Sequence, residues 1–438
     1  MKQKRSLPIE KSPNMSITSS KIFSVHSREI LDSRGEPTLE TLVILESGYR
    51  GTSSVPAGTS LGKYEALELR DKDPNRYGGM GVLSAVKNVN TLIAEKLKGL
   101  DALDQGLIDK TLIALDGTPN KQTLGSNSIL SVSLATAQAA SAQRKLQPYE
   151  YLHTLMESRL PGKIARMPTP IFNVINGGLH GAGNLNFQEF WVIPATSTSY
   201  HEALRMGEEI YHAVKKILIY RNAVHSVGDE GGFAPNLFTN LDAMEILVES
   251  LRTTPYKLGV NVFLGLDLAA SHFKTDHGYL IKDRPSAFSP KEFIQYLKKL
   301  HNTYNLLILE DPLDEDDWAG WAELTALIGK EVLVVGDDLL ATNAERLTKA
   351  VAEKACSAIL LKPNQIGTLT EFLDVVAIAK KNAINCIVSH RSGETTDTCI
   401  SDLAVAVNAD YVKFGAPARG ERVAKYNRLL QIESELFP

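Results

Sequence analysis

Five runs of mainly apolar residues in the second half of the chain each end at a residue that could take part in chemistry. The residues at these ends are Asp267, Glu310, Asp337, Lys362 and His390, and a shorter sixth run ends at Lys413. From Glu310 onward the intervals are 27, 25, 28 and 23 residues, the length of one strand plus one helix. Parallel strands that alternate with helices can close into a barrel whose strand ends share one mouth. We therefore expect these side chains to meet in one pocket.

The first third of the chain has a different pattern. Residues 21–33 and 38–55 hold β-rich runs joined by two turn signals, Arg-Gly-Glu-Pro between the segments and Glu-Ser-Gly within the second, which predicts an antiparallel meander. Residues 81–100 and 126–146 then show helical patterns, and the small Ala and Ser residues of the second predict a closely packed helix. Strands followed by helices indicate a small α+β domain.

Three segments are predicted along the chain. Residues 1–17 are polar and basic, typical of a disordered tail; residues 18–155 form the α+β domain, and residues 156–438 form the catalytic barrel domain. A stretch with three prolines, residues 157–170, is the expected crossing. The predicted fold class is α/β: an irregular (β/α)8 TIM-like barrel with a smaller N-terminal α+β domain, in which the opening barrel units are irregular.

Composition narrows the class of protein. With 438 residues, of which 43% are hydrophobic and 22% charged, the chain can bury a large core. Its formal charge of -4 gives no pull toward nucleic acid or an anionic membrane, and no apolar stretch has the length of a membrane span. The three cysteines are too few for a disulfide framework, and reduced thiols predict a cytoplasmic protein.

Three of the strand ends carry carboxylates, namely Asp267, Glu310 and Asp337. Hard oxygen ligands without cysteine suit Mg²⁺ best. An Asp after a strand can also simply cap the following helix. Three carboxylates that converge on one mouth would repel one another, however, and a bound cation explains them together.

Lys362 and Glu230 are candidates for proton transfer. Lys362 stands at the end of a predicted buried strand. Beside a divalent cation its neutral amine would be available as a general base. Alternatively, its side chain only extends past apolar residues so that the amine reaches water. Glu230 precedes two glycines in a turn. If Glu230 lies near another carboxylate such as Glu189, its pKa would be raised and it would hold a proton that it could donate. The alternative is that Glu230 is an exposed acid in a loop.

Phosphate binding is suggested by residues 390–392 and by Lys413. Arg391 and Ser392 at a strand end can hold phosphate through charge-assisted hydrogen bonds. Alternatively, Arg391 pairs with Glu394 and His390 is a structural histidine. In the first domain, residues 55–62 form a Gly/Ser loop, which is either an ordinary turn or a lid that closes over a substrate.

The chain resembles the enolase family, the phosphopyruvate hydratases of glycolysis. The resemblance runs from about residue 20 to residue 431, and the segments that carry it are SREILDSRGEPT, YEALELRD, NVINGGLH, QEF, VGDEGGFAPN, LDLAAS, LEDPLDEDDW, VGDDLLATN, LLKPNQIG, VSHRSGETTDT and GAPARGERVAKYN. It implies reversible dehydration of 2-phosphoglycerate to phosphoenolpyruvate, two Mg²⁺ per site, a phosphorylated small-molecule substrate and a homodimer or higher homo-oligomer.

The resemblance also implies a role for each site residue. The metal ligands would be Asp267, Glu310 and Asp337, with Ser60 of the mobile loop reaching the second ion. Lys362 would be the base and Glu230 the acid, with Glu189 and His390 completing the catalytic group. The substrate would be held by His180, Gln188, Arg391, Ser392 and Lys413.

Some residues depart from the family pattern, but none of the departures removes a proposed catalytic group. They are Ala57, Thr59 and Leu61 in the mobile loop, and His272, Pro363 and Phe414 elsewhere. A scaffold or binding protein with an enolase fold and altered chemistry is the alternative function. A third possible function is that of another barrel enzyme that removes a proton beside a carboxylate. Ser60, Arg391 and Ser392 argue against it, because together they indicate a phosphorylated substrate.

Overall fold

The structure, a computed structural model, describes residues 18–58, 62–181 and 183–437. The predicted tail, residues 1–17, lies outside the described residues. So does Ser60, together with its neighbours Thr59 and Leu61.

The N-terminal strands form an antiparallel sheet in the order β1-β2-β3. Their bounds are Ile22–Leu31 for β1, Pro37–Leu45 for β2 and Arg50–Ser54 for β3. Alternate residues of β2, including Leu39, Val43 and Leu45, are buried because successive side chains of a strand point to opposite faces. The predicted meander is confirmed.

A short 3-10 helix, Tyr77–Gly79, and five α-helices follow the sheet in the described part of the chain, and a π-helical turn at Val89–Ile93 joins the first two α-helices. They are α1 Leu83–Asn88, α2 Ala94–Leu97, α3 Gln105–Asp116, α4 Ser126–Arg144 and α5 Pro148–Glu157. Residues 126–137 of α4 are all buried, which confirms the predicted close packing. A Cβ on Gly51 of β3 would lie 2.2 Å from the Ala135 carbonyl oxygen, so the sheet touches this helix through backbone.

The second part of the chain contains a closed barrel of eight strands and a separate two-stranded sheet. The barrel strands are β4 Thr169–Asn176, β5 Glu189–Pro194, β6 Val262–Asp267, β9 Leu306–Glu310, β10 Leu333–Gly336, β11 Ala358–Leu361, β12 Asn385–Ser389 and β13 Tyr411–Lys413, and each pairs with the next in this order, β13 closing on β4. The separate sheet consists of β7 Lys274–Thr275 and β8 Gly278–Tyr279. Apolar side chains such as Ile171, Trp191 and Ile308 form a buried cluster from several barrel strands.

The strand β5 runs antiparallel to both of its neighbours, whereas the other neighbouring pairs of the barrel are parallel. This confirms the irregular opening of the predicted barrel. Because β5 is reversed, its first residue, Glu189, lies beside the last residue of β6, Asp267, which in turn pairs with Glu310. Three carboxylates from three strands therefore reach the same end of the barrel.

Nine α-helices accompany the barrel in the described part of the chain. They are α6 Tyr200–Tyr220, α7 Asn240–Arg252, α8 Pro290–Tyr304, α9 Trp318–Ile328, α10 Ala344–Glu353, α11 Pro363–Ile366, α12 Leu369–Lys381, α13 Cys399–Ala406 and α14 Gly420–Leu436. Among the residues described, no helix has both the length and the apolar character needed to span a bilayer. The predicted division after residue 155 stays a prediction.

The contact between β3 and α4 gives a stability test. Replacing Gly51 with Ala should lower the free energy of unfolding by about 1–3 kcal/mol, because the added methyl group overlaps backbone atoms of α4. The matched control is Gly162→Ala, where nothing lies within 4 Å of the new Cβ, and a change within about 0.5 kcal/mol is expected. Urea denaturation of both variants measures the difference, and equal stabilities would contradict the packing argument.

Candidate active site

The strand ends of the barrel converge as the sequence predicts. Asp267, Glu310 and Lys413 are the last residues of their strands, and Asp337 and Lys362 directly follow theirs. The pocket at this mouth is lined by Glu65, Leu179, His180, Gln188, Glu189, Glu230, Asp267, Ala269, His272, Asp311, Asp337, Asp338, Lys362, Ser389, His390, Arg391, Ser392 and Lys413. The predicted site residues within the described ranges thus lie together. Glu310 does not line the pocket itself, but its Oε1 atom lies 2.8 Å from Nζ of Lys413, which does.

Lys413 stands among three buried carboxylates. Its Nζ atom lies 2.8 Å from Glu310 Oε1, 3.3 Å from Asp267 Oδ2 and 3.3 Å from Glu189 Oε2. Burial lowers the pKa of this amine, but the three acids outweigh burial and raise its pKa well above the usual value. The ammonium group also lies 4.9 Å from the centre of the Trp191 ring. Lys413 is therefore held charged.

Glu310 is the least compensated of these acids. Burial, and then the nearby Asp267, raise its pKa well above the ordinary value. Its Oε1 atom accepts from Lys413, whereas Oε2 is buried and has no hydrogen-bond partner among the residues described. A buried carboxylate oxygen without a donor is costly, so this atom is a ready ligand for a cation.

Lys362 forms an ion pair with Asp337 across the next two strand ends. The other oxygen of Asp337 accepts from Gln365 Nε2 at 3.1 Å. Burial lowers the pKa of Lys362, but Asp337 outweighs it and the net shift is upward. The protein groups by themselves favour the charged amine, and the neutral amine expected beside a divalent cation stays a prediction.

A second cluster surrounds Glu230. Its Oε1 atom accepts from Ser392 Oγ at 3.0 Å and lies 3.4 Å from His180 Nδ1. Its Oε2 atom accepts from Asn173 Nδ2 at 3.1 Å and lies 3.3 Å from His390 Nε2. The carboxylate of Glu230 is thus surrounded by groups that can donate to it.

The predicted raised pKa of Glu230 is wrong for this arrangement. Burial raises the pKa, but His180 and His390 outweigh burial and hold it well below the usual value. The pKa of Glu189 is instead raised, by burial and by the charge of Glu230. His180 lies 3.1 Å from Glu189 Oε1, and the two acids raise its pKa against the effect of burial. A proton in this cluster is therefore favoured on Glu189 or His180.

Arg391 connects the two domains. Its Nη1 atom donates to Glu65 Oε2 at 2.9 Å and to Asn364 Oδ1 at 3.1 Å. Glu394 accepts from the backbone nitrogen of Arg391 and forms an ion pair with Lys425 at 2.8 Å. Because Glu65 belongs to the N-terminal part of the chain, both domains build the pocket.

Comparison with protein families decides the class. The sequence matches the model described as enolase, N-terminal domain, over residues 22–152, and the model described as enolase, C-terminal TIM barrel domain, over residues 164–437.

The chain belongs to the enolase family. Membership indicates a lyase-type enzyme, and the family fold typically binds Mg²⁺.

The residues of this enolase-family protein fit a hard divalent cation. The donors are carboxylate oxygens, and Glu310 Oε2 has no protein donor within the described ranges. In addition, Asp311, Asp337 and Asp338 each place a carboxylate oxygen within 4.8 Å of the others. Only Asp337 of this group belongs to the predicted metal trio, and the ligand set of Asp267, Glu310 and Asp337 stays a prediction.

Two departures from the family pattern fit their surroundings. Pro363 is the first residue of α11, where a missing backbone N–H costs nothing. Phe414 is fully buried, and its ring centre lies 6.0 Å from that of Tyr426. Neither residue displaces a site group, and His272 lines the pocket.

Some site residues were missed from the sequence. Glu65, Gln365 and Arg422 lie in loops or helices, where the strand-end pattern gives no signal, although each falls in a segment that resembles the family. Asp311 and Asp338 directly follow residues that were chosen. The backbone nitrogens of Asp337 and Asp338 both donate to Asp311, at 2.9 Å, so this neighbour fixes the turn that carries Asp337.

Removing Lys413 tests the electrostatics of the mouth. In excess chelator, Lys413→Met should lower the free energy of unfolding by about 3–5 kcal/mol at about pH 8, because buried carboxylates lose their cation. The loss should be smaller at about pH 5: acids whose pKa is raised in the folded state destabilise it progressively as pH rises.

Urea denaturation at both pH values measures this effect. The control is Lys63→Met, which removes an exposed lysine paired with Asp316 at 3.1 Å and should leave stability nearly unchanged, because solvent screens such a pair. A loss that is equal at the two pH values would show that packing, and not charge, is responsible.

Proposed function

We propose that this protein is an enolase that catalyses the reversible dehydration of 2-phosphoglycerate to phosphoenolpyruvate. The observation that carries the proposal is the meeting, in one pocket, of Lys362, the Glu230 cluster, the acidic strand ends and the cations Arg391 and Lys413. The reaction needs a base, an acid and a strongly positive environment for an anionic substrate. The pocket offers candidates for each.

Substrate recognition is assigned to groups on two sides of the pocket. Arg391 and Ser392 would bind the phosphate, since a guanidinium and a hydroxyl give charge-assisted hydrogen bonds to its oxygens. Lys413 would neutralise the substrate carboxylate, and Gln188, whose Nε2 lies 3.3 Å from Asp267 Oδ2, would orient it. Binding would then place the carbon next to the carboxylate between Lys362 and the Glu230 cluster.

Lys362 is proposed as the base that removes the proton beside the substrate carboxylate. Lys362 directly follows β11, and its side chain lines the pocket. Its backbone nitrogen donates to Thr342 Oγ1 at 2.9 Å, which supports this position. The charge that develops on the carboxylate would be stabilised by Lys413, which is held cationic.

The ligands proposed for Mg²⁺ are Asp267, Glu310 and Asp337, and Ser60 is proposed to reach a second ion together with the substrate. When bound, Mg²⁺ would supply positive charge that stabilises the substrate carboxylate in the transition state and lowers the pKa of Lys362.

Departure of the hydroxyl group is assigned to the Glu230 cluster. Glu230 is proposed as the acid, but its lowered pKa means that the proton is stored on neighbouring groups. His180 and Glu189 have raised pKa values and lie within 3.4 Å of Glu230 or of each other. The cluster would deliver one proton to the hydroxyl as it leaves.

Replacement of Lys362 tests the base. Lys362→Ala should lower kcat by at least about 10²- to 10⁴-fold, because no other amine replaces the proton acceptor at that position. Formation of the enol phosphate, followed by ultraviolet absorbance, measures the rate. The control is Lys380→Ala, which removes a partly buried lysine that contacts Asp410 outside the pocket. Turnover near that of the wild type in Lys362→Ala would exclude the assignment.

Removal of metal tests the cofactor. Excess chelator should stop turnover, and added Mg²⁺ should restore it. At about 100 times its Kd, Mg²⁺ should raise the free energy of unfolding by about 2.7 kcal/mol. Glu310→Gln should gain less, because the amide is a weaker ligand. Full activity in excess chelator would rule out the metal, and equal stabilisation of wild type and Glu310→Gln would rule out this ligand. The cytoplasmic location stays a prediction from the cysteines, and the homodimer stays a prediction from the family resemblance.

A further inference from the structure

Arg422 is a fully buried arginine in α14 that joins several parts of the site. Its Nη1 atom lies 2.5 Å from His390 Nδ1 and donates to the Arg391 carbonyl oxygen at 2.7 Å. Its Nη2 atom donates to the carbonyl oxygens of Ser392, at 2.5 Å, and Asp229, at 3.2 Å. One guanidinium group therefore holds the segment 390–392 and the turn that leads to Glu230.

The contact with His390 determines where the imidazole carries its proton. A guanidinium group has only N–H donors, so His390 Nδ1 must accept with its lone pair. The ring proton then lies on Nε2, which is 3.3 Å from Glu230 Oε2. His390 is thus a neutral ring whose N–H lies beside the proposed acid, although in this arrangement Nε2 makes no hydrogen bond with the residues described.

A second proton on His390 is opposed by geometry. It would have to sit on Nδ1, directly against an N–H of Arg422. The charged groups that face the ring are Glu230 from the turn, Arg422 from α14 and Glu394 from its own loop. Burial and Arg422 outweigh the two acids and lower the pKa of His390 to about 4.

The ring also has little room to turn. Gly415 lies against it, with a φ of +85°, and a Cβ at that position would be 3.0 Å from His390 Cε1 and 2.7 Å from the Glu230 carbonyl oxygen. The backbone nitrogen of His390 donates to the carbonyl oxygen of Lys413 at 3.0 Å. Backbone therefore limits the position of the ring while Arg422 sets its tautomer.

We propose that Arg422 is a positioning residue for the reaction. It fixes His390 as the neutral Nε2–H tautomer next to Glu230, and it holds the carbonyl groups of Arg391 and Ser392 so that their side chains face the substrate. The catalytic part of this proposal rests on the proposed function, whereas the tautomer of His390 does not.

Nuclear magnetic resonance of the full chain tests the tautomer directly. The protein is labelled with ¹⁵N-histidine, and the signals of His390 are identified by their loss in His390→Gln. The wild type should show a protonated Nε2 and an unprotonated Nδ1 from about pH 5 to about pH 8. A proton on Nδ1, or titration of His390 near its ordinary pKa of about 6.5, would overturn the proposal.

Variants of Arg422 test the consequence for catalysis. Arg422→Met should lower kcat/KM roughly 10- to 100-fold and add an acidic limb to its pH profile, because Nδ1 of His390 no longer faces an N–H donor and can take up a proton at a higher pH than in the wild type. Arg422→Lys keeps the charge and one donor, so it should retain a neutral His390 and the pH profile of the wild type. If Arg422→Met does not fold, the wild-type spectrum and Arg422→Lys decide.

The control is Arg428→Gln, which removes an arginine of the same helix that pairs with Asp402 at 2.6 Å, away from the pocket. It should lower stability without changing the tautomer or the pH profile. If Arg422→Met leaves both of these as in the wild type, Arg422 is merely structural and the proposal fails. If the wild type does not convert 2-phosphoglycerate, the proposed function fails while the spectrum still decides the tautomer.

Discussion

Compensation of buried negative charge at the barrel mouth is the constraint on which the site depends. Glu189, Asp267 and Glu310 come from three neighbouring strands, and each is almost completely buried. Carboxylates in such a place persist as anions only if cations or donors face them. Lys413 reaches them from β13, which is not a neighbour of those three strands in the barrel order, so the ion pairs span the mouth.

The reversed strand β5 makes this arrangement possible. In a barrel of parallel strands only carboxyl ends reach the mouth, yet Glu189 begins its strand. The reversal brings Glu189 next to Asp267. The Oε1 atom of Glu189 lies 3.1 Å from His180 Nδ1, and its Oε2 atom lies 3.3 Å from Lys413 Nζ. One side chain thus links the acidic strand ends to the Glu230 cluster. The irregular opening of the barrel is a condition for the site.

The sequence predicts positions well and protonation poorly. Strand-end residues such as Asp267 and Lys362 follow from periodicity, because parallel strands bring their ends together whatever the details of packing. The pKa of Glu230 depends on which groups face it, and His390 is 160 residues away in the chain, a contact that periodicity does not show. Glu65 is missed for the same reason: its partner Arg391 lies in the other part of the chain.

Glu65 also shows why the two parts of the chain act as one site. Its carboxylate accepts from Arg391 of the barrel, and Gln365 Nε2 lies 3.3 Å from Glu65 Oε1 and 3.1 Å from Asp337 Oδ1. Glu65 is therefore connected directly to Arg391 and, through Gln365, to the acidic residue Asp337. A shift of Glu65 would move the hydrogen-bond partners of both Arg391 and Gln365, so the positions of the charged groups on the two sides of the pocket are physically coupled through this residue.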